Sequence, residues 1–215
     1  MPDYKTIKID GESCEEKGLK LVSLYIPMPE AKSNYIEIPG GDGALDLTEF
    51  SGGVKYSNRE GLQFVFDYLG DYAKWQSAIQ SFAQKVHGKK CRVVLEQDAD
   101  FYYLTRLSID PQKTNEVYGT VTLTGTADPY KYKLTETVKS FEVAGELAAS
   151  LPNLFRPVVP VIEADAAMQI VFGGQTISVS PGALQVPDLV LPAGENPVTL
   201  KGTGNITFTY QEATL

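Results

Sequence analysis

The chain has 215 residues, a formal net charge of −8 and two cysteines. This length suits one large domain or two small ones, and either can bury a core without a metal or a disulfide. The acidic balance argues against sequence-independent binding to a phosphate backbone. Cys14 and Cys91 lie far apart without neighbouring ligands, which predicts free thiols in a reducing compartment and no structural zinc site.

The N-terminal stretch MPDYKTIKID is polar, and no apolar run in the chain is long enough to span a bilayer. These features predict a protein made in a cytoplasm, without a signal peptide or membrane insertion. Residues 1–139 carry 17 basic and 20 acidic residues, whereas residues 140–215 carry 2 basic and 7 acidic residues. This change in charge density predicts a domain boundary near residue 140.

Short strands dominate the first part of the chain. Alternating apolar and polar residues, with many β-branched and aromatic side chains, are typical of half-buried strands. Segments of this kind are YKTIKI (4–9), LVSLYI (21–26), YIEI (35–38), LQFVFDYL (62–69), CRVVLE (91–96), FYYLTRLSI (101–109) and VYGTVTLTGTA (117–127). Residues 21–26 and 35–38 flank a proline-punctuated turn, which predicts a hairpin or an extended arm.

One segment has the period of a helix. The apolar residues of DYAKWQSAIQSFAQKVHGKK recur at helical spacing from Trp75 to Val86, which predicts a single amphipathic helix. Asp71 is expected to cap its start and Gly88 to end it. His87 lies in the last turn, where helix capping is a sufficient role for it. Trp75 lies on the apolar stripe and is expected in the core.

The second part of the chain reads as a small β-sandwich. The stretch LAASLPNLFRPVVP (147–160) carries three prolines, and short strands separated by Gly and Pro turns follow it. The sequence therefore predicts a mainly β protein with one α-helix. Its parts are an N-terminal domain over residues 1–140, a linker over 141–156 and a sandwich over 157–215.

The glycine-rich stretch IPGGDGALDL (38–47) raises the question of a phosphate-binding loop. A Walker-type loop needs a Lys and a Ser or Thr after its last glycine, and a dinucleotide loop needs a following helix. Neither is present, and Asp42 and Asp46 would repel a phosphate. The glycines are better explained as residues that allow a positive φ in a sharp turn.

Other candidate sites have simpler explanations. Glu96, Asp98 and Asp100 alternate in EQDAD and are of the type that binds a divalent cation or acts in acid–base catalysis, but aspartate is also a favoured turn residue. We favour a solvated turn and rank last a hydrolase that uses Asp98 and Asp100. Several aromatic residues are of the type that stacks on bases or sugars, although strand alternation explains them as core and cross-strand pairs. They are Phe101, Tyr102, Tyr103, Tyr130 and Tyr132.

An ordered series of segments resembles the distal tail proteins of long-tailed bacteriophages over nearly the whole chain. The series is IPGGDGALDLTEF, GGVKYSNREGLQFVF, the helix ending in VHGKK, LEQDADFYYLTRL, TADPYKY, RPVVPVIEA, MQIVFGG, LQVPDLVLPAGENPVTLKGTG and NITFTYQEATL. The resemblance implies a ring-forming N-terminal β domain (a sandwich or split barrel with helix and hairpin) followed by a small galectin-like β-sandwich. It departs from the family at Gly41, where many members have arginine.

The resemblance also implies a role. Such proteins form a homohexameric ring that joins the tail tube to the tail-tip, tail-fibre or receptor-binding proteins, and DNA passes through the lumen without specific binding. The expected location is the virion tail, with assembly in the bacterial host cytoplasm. No catalytic residue, cofactor or metal is expected.

We expect an exposed hairpin arm from Leu24 to Leu47 to contact a neighbouring subunit or the tail tube, because exposed strand edges pair with other chains. Its candidate interface residues are Tyr25, Tyr35, Ile36, Ile38 and Leu45. The alternative is a carbohydrate-binding module. Residues 150–215 contain no Trp or His and a single Arg, Arg156, so we expect a scaffold sandwich rather than a lectin.

Overall fold

The computed structural model describes residues 6–50, 52–113 and 119–215. As predicted, this described part of the chain is mainly β with one α-helix. It divides into two compact units, the first ending at Lys131 and the second running from Tyr132 to Thr214. Tyr4, Lys5, Val117 and Tyr118 of the predicted strands lie outside the described residues. Among the described residues, no helix combines the length and the apolar character needed to cross a bilayer.

The strands that begin in the first unit are β1 (Ile7–Ile9), β2 (Glu12–Ser13), β3 (Leu19–Tyr25), β4 (Ala31–Lys32), β5 (Tyr35–Glu37), β6 (Ala44–Asp46), β7 (Lys55–Tyr56), β8 (Arg59–Tyr68), β9 (Lys90–Leu95), β10 (Phe101–Lys113) and β11 (Gly119–Lys133). The helix is α1 (Trp75–Val86), and short 3-10 turns cover Glu15–Lys17, Tyr72–Lys74 and Glu96–Asp98.

The main sheet of the first unit has the strand order β2-β1-β9-β10-β11-β8-β3. Strand β8 alternates as its sequence predicts, since Leu62, Phe64, Phe66 and Tyr68 are buried. The alternation starts after Gly61. This residue has a φ of +77° and forms a β-bulge, an extra residue in β8 at the point where the register with β11 shifts. Strand β8 therefore supplies one continuous apolar face to the core.

The helix packs its apolar stripe against this core. Trp75, Ile79, Phe82 and Val86 are buried at the predicted helical spacing. Trp75 lies 5.1 Å edge-on from the ring of Tyr68, so it is a core residue, as predicted. The predicted capping residue Asp71 accepts a hydrogen bond from the Ala73 backbone, and therefore caps the 3-10 turn that leads into α1.

The second unit contains the strands β12 (Thr137–Ser150), β13 (Val161–Ala164), β14 (Met168–Phe172), β15 (Gln175–Val179), β16 (Gly182–Gln185), β17 (Pro197–Tyr210) and β18 (Ala213–Thr214). Strands β12 and β17 pair along their whole lengths, from Thr137 opposite Tyr210 to Ser150 opposite Pro197. The other edge of β17 pairs with β14 in its first half and with β13 in its second half.

The turn between Val179 and Gly182 joins the two ends of the strand order β15-β14-β17-β13-β16. A sheet whose ends are joined by so short a turn must fold over on itself. The two halves of β17 meet at Gly202 and Gly204, with φ of +136° and +141°, where the strand can bend. The unit is therefore a small β-sandwich, as the sequence predicts, and β12 and β17 serve both of its layers, which the sequence does not predict.

The chain divides at a different point from the one that its sequence predicts. The sequence predicts a boundary after residue 140 and a linker over 141–156, whereas residues 141–150 lie within β12. The proline-rich segment that follows is fixed in the second unit by two buried asparagines. The Asn153 amide donates to the Leu191 carbonyl, and the Asn196 amide donates to the Leu151 carbonyl, each at 2.9 Å. These hydrogen bonds from side-chain amides satisfy backbone carbonyls in a segment that has no regular secondary structure.

Candidate assembly surface

An extended arm, described over residues 26–50 and 52–58, connects β3 to β8. Its strands form two small antiparallel ribbons, β4 with β7 and β5 with β6. In the second ribbon Tyr35 pairs with Asp46, Ile36 with Leu45 and Glu37 with Ala44. A hydrogen bond of 2.8 Å from the Leu47 amide to the Asn34 carbonyl closes its open end. The predicted arm is therefore present with different bounds: Leu24 and Tyr25, at its predicted start, belong to β3 and pair with β8, and the arm extends beyond Leu47 to residue 58.

The glycine-rich loop at the tip of the arm is a turn, as predicted. The Gly41 amide donates to the Ile38 carbonyl at 3.0 Å, which closes a four-residue turn. Pro39 holds the second position and Gly40, with a φ of +79°, holds the third. Proline followed by a residue with positive φ is the pattern of a type II turn. The glycines thus serve the backbone geometry of the hairpin.

The arm is open to solvent on both faces of its β5–β6 ribbon. Every residue from 30 to 46 is exposed. The five predicted interface residues all have exposed side chains, with exposed fractions of 59% for Tyr25, 61% for Tyr35, 50% for Ile36, 53% for Ile38 and 50% for Leu45. Two apolar residues of the arm that were not predicted from the sequence are also exposed, Met28 at 66% and Phe50 at 85%. Exposed apolar side chains gathered in one segment are typical of interaction surfaces.

The two faces of the β5–β6 ribbon differ in chemistry. Ile36 and Leu45 are directly opposite each other and therefore share a face, whereas Tyr35 and Asp46 share the other. The Asp46 carboxylate accepts a hydrogen bond of 2.9 Å from the Thr48 amide. Hydrogen bonds from the Thr48 side chain and backbone lower the pKa of Asp46. The arm therefore presents an aliphatic face and a face with an aromatic ring beside a carboxylate.

A buried arginine holds the base of the arm. Arg59, the first residue of β8, is 2% exposed. Its guanidinium donates to the Pro27 carbonyl at 2.7 Å and to the Pro129 carbonyl at 2.9 Å, and its centre lies 5.5 Å from the Tyr103 ring. Burial lowers the pKa of the guanidinium. Sequence reasoning missed this residue, because a single arginine at the start of a strand gives no sign of burial.

Two of the acidic candidates, Asp98 and Glu96, bind neighbouring segments of the chain. Asp98 accepts a hydrogen bond of 2.7 Å from the Lys131 ammonium group, and Glu96 accepts one from the Thr6 amide. Across residues 6–50, 52–113 and 119–215, no three His, Cys, Asp or Glu side chains are grouped as metal ligands. His87 accepts a hydrogen bond on Nδ1 from the Ile109 amide at 3.2 Å, so it links the end of α1 to β10.

The remaining candidates lie within the packing of the two units. Tyr102 and Tyr103 are buried, and Tyr130 packs edge-on against Tyr56 of the arm at 6.0 Å. Cys14 and Cys91 are free and buried. Desolvation raises the pKa of the Cys14 thiol to about 12 and that of Cys91 to about 11, and both thiols therefore stay protonated at neutral pH.

No protein-family model matches the chain, and no curated protein sequence matches it. Among solved structures, the fold is shared by the crystal structure of SPP1 Dit, described as a paradigm of the hub adsorption apparatus in phages that infect Gram-positive bacteria. The TM-score is 0.68 and the identity 15%, over 98% of this chain and 99% of that one. The predicted resemblance to phage distal tail proteins is thus confirmed at the level of the fold, which this chain shares with SPP1 Dit over its whole length.

Proposed function

We propose that this protein is the subunit of a homohexameric ring at the tip of a bacteriophage tail. The ring joins the tail tube to tail-tip, tail-fibre or receptor-binding proteins and is assembled in the bacterial host cytoplasm. The observation that carries the proposal is the fold, shared over the full length of the chain with a phage hub protein. The role is structural and requires no catalytic site, cofactor or metal.

The arm supports the assembly part of the proposal. A two-stranded ribbon on its own is marginally stable in water, yet β5 and β6 place Ile36 opposite Leu45 with half of each side chain exposed. Such a ribbon gains stability when a second surface covers its aliphatic face. A neighbouring copy in a closed ring supplies that surface once per subunit, because rotational symmetry repeats the same contact.

The charge of the chain supports a passage for DNA. A net charge of −8 per subunit gives a ring of copies a strongly acidic surface, and like charges keep DNA from binding to it. A reconstruction of the assembled ring by cryo-electron microscopy tests this point. An acidic or neutral lumen agrees with it, and a strongly basic lumen contradicts it.

The mass of the purified protein in solution, measured by light scattering over a concentration series, tests the ring. We expect a hexamer, or a monomer–hexamer equilibrium. The variant Ile36→Ser/Leu45→Ser removes the aliphatic face of the arm, and we expect it to remain monomeric at concentrations where the parent chain assembles. The control Val190→Ser replaces a comparably exposed apolar residue of the second unit, 41% exposed, and should assemble as the parent does.

Two outcomes would contradict the proposal. Normal assembly of the double variant would mean that the arm is not the contact. A strict monomer at every concentration, together with binding of the full chain on a glycan array, would favour a carbohydrate-binding module instead.

A further inference from the structure

The guanidinium of Arg59 connects three separate segments at the base of the arm. Pro27 lies where the chain leaves β3 for the arm, and Arg59 lies where the chain returns into β8. Pro129 belongs to β11, which pairs with β8 and places Ala127 opposite Arg59. The two hydrogen bonds therefore join the outgoing and returning ends of the arm to each other and to a strand of the main sheet.

This arrangement is a poor device for stability alone. A buried cation pays a large desolvation cost unless a carboxylate and a full set of hydrogen bonds offset it. Within the described part of the chain, the hydrogen-bond acceptors of Arg59 are two carbonyls and the sulfur of Met28 at 3.7 Å, and its buried Nη2 has no hydrogen-bond partner. An apolar side chain of similar length would fill the same space without this cost.

The planar guanidinium can fix the direction of the groups that it binds, which an apolar side chain cannot do. Its N–H groups lie in one rigid plane, so two carbonyls bound to it are fixed in direction as well as in distance. The Tyr103 ring, 5.5 Å from the guanidinium carbon, adds a further contact from β10. In some proteins a buried polar group selects one conformation where apolar packing would allow several.

We propose that Arg59 is the positioning residue that fixes the direction in which the arm leaves the body of the first unit, and so prepares the arm for assembly. The assembly part rests on the proposed function, but the orientation of the arm is a property of the single subunit. The two parts are therefore measured separately.

Spin-label distances test the orientation. Nitroxide labels are placed at the arm tip with Asp42→Cys and on the body with Ser108→Cys, both at exposed positions, while the native cysteines are buried. Labelled chains are diluted into unlabelled protein at a concentration where light scattering finds monomer. We expect a narrow distance distribution with Arg59 present and a distribution at least twice as wide with Arg59→Met.

Two further variants make the test specific. Arg59→Lys keeps the charge but not the planar geometry, and we expect a width between those of the parent and Arg59→Met. Arg92→Met removes an exposed arginine that also lies over a tyrosine ring, Tyr102 at 5.0 Å, and should leave the width unchanged. Light scattering then measures the dissociation constant of self-association, which we expect Arg59→Met to raise at least tenfold.

Several results would overturn the proposal. An unchanged width in Arg59→Met, or equal broadening in Arg92→Met, shows that Arg59 does not orient the arm. If Arg59→Met fails to fold, the Arg59→Lys variant is measured instead. The proposal is overturned if Arg59→Lys folds and its distance distribution is as narrow as that of the parent. It is also overturned if neither variant folds. If the parent never self-associates, the ring proposal fails and the distance widths still decide the role of Arg59.

Discussion

The molecule contains two antiparallel ribbons that are built alike and packed differently. Strands β12 and β17 pair from end to end, and one face of this ribbon, with Val143, Leu200 and Phe208, lies in the core of the sandwich. Strands β5 and β6 also pair in regular register, from Tyr35 opposite Asp46 to Glu37 opposite Ala44, but no residue of either strand is buried. The two ribbons share hydrogen-bonding geometry and differ in the burial of their side chains.

This difference shows that strand pairing alone does not determine how much a ribbon contributes to stability. Backbone hydrogen bonds exchange partners with water and contribute little net free energy, whereas burial of apolar area is the main stabilising term. The long ribbon uses its apolar side chains to stabilise its own unit. The arm keeps its aliphatic side chains exposed, so their burial remains available to stabilise a contact with another chain.

The largest expected difference between the ribbons is in hydrogen exchange of their backbone amides. Amides of β12 and β17 should exchange only through global unfolding, whereas amides of β5 and β6 should exchange by local opening. For the monomer we expect protection in the long ribbon to exceed that in the arm by at least about a thousandfold, or about 4 kcal/mol. Mass spectrometry or NMR measures both sets of amides in one sample.

The same amides also report on assembly. If the arm binds a neighbouring copy, its amides should gain protection when the protein concentration is raised, while those of β12 and β17 do not change. Equal protection of the two ribbons in the monomer would mean that the arm is already stabilised within the subunit, and the comparison would fail.

A truncation in each ribbon tests the role of burial directly. Phe208 is fully buried beside Phe141, and Phe208→Ala should lower the free energy of unfolding by about 3–5 kcal/mol, since it removes a large core side chain and leaves a cavity. Ile36→Ala, at a half-exposed site in the arm, should change it by about 0.5 kcal/mol or less. Urea denaturation of the monomer measures both. A large effect of Ile36→Ala would place the arm within the cooperative core.

The parts of the fold that the sequence predicts well are those governed by local patterns. The spacing from Trp75 to Val86 identifies the helix, and the alternation from Leu62 to Tyr68 identifies a central strand. Pro39 and Gly40 identify the turn at the tip of the arm because their φ preferences are intrinsic to the residues. At these positions the tertiary structure agrees with the local preference.

The parts that the sequence misses depend on distant residues. Strand β12 carries Ala144, Gly145 and Ala148, which are weak strand formers, and its strand conformation follows from pairing with β17, about fifty residues later. The buried Arg59 is explained only by the carbonyls of Pro27 and Pro129. The residues next to Arg59 in the sequence do not reveal these carbonyls. Whether a charge can be buried depends on which acceptors the fold brings close to it.

Substitutions of two glycines, one in β17 and one in the turn that joins β5 to β6, are expected to have an intermediate effect. Gly204 has a φ of +141°, and a Cβ there would lie 2.3 Å from the Asp165 carboxylate, so Gly204→Ala should lower the free energy of unfolding by about 1–3 kcal/mol. Gly41 has no such φ, and a Cβ there would make ordinary contacts of 3.5 Å with Ile38. Gly41→Ala should therefore be nearly neutral. Thermal unfolding of the two variants gives the comparison, and equal destabilisation would contradict it.

The smallest expected effects come from two exposed aspartates, each of which accepts hydrogen bonds within a ribbon. Asp165 binds the side chain and the amide of Asn205, at 2.8 and 2.7 Å, beside β17, and Asp46 binds the Thr48 amide at the end of β6. Both sets of bonds favour the charged carboxylate and lower its pKa below the usual value of 3.8. The stabilisation is therefore present above that pH and is lost as the pH falls below it.

Asp165→Asn should slightly lower the global stability of the monomer at pH 7, and the difference from the parent should shrink as the pH falls below 3.8. Asp46→Asn should leave global unfolding unchanged at every pH and should only speed hydrogen exchange at Thr48, because the arm opens independently of the core. Denaturation curves between pH 2 and pH 7 and local exchange rates measure the two effects. If Asp46→Asn shifted global unfolding with the same pH dependence as Asp165→Asn, the arm would unfold together with the body. Its exposed aliphatic face would then contribute to the fold of the single subunit, and a contact with a neighbour would no longer be needed to explain it.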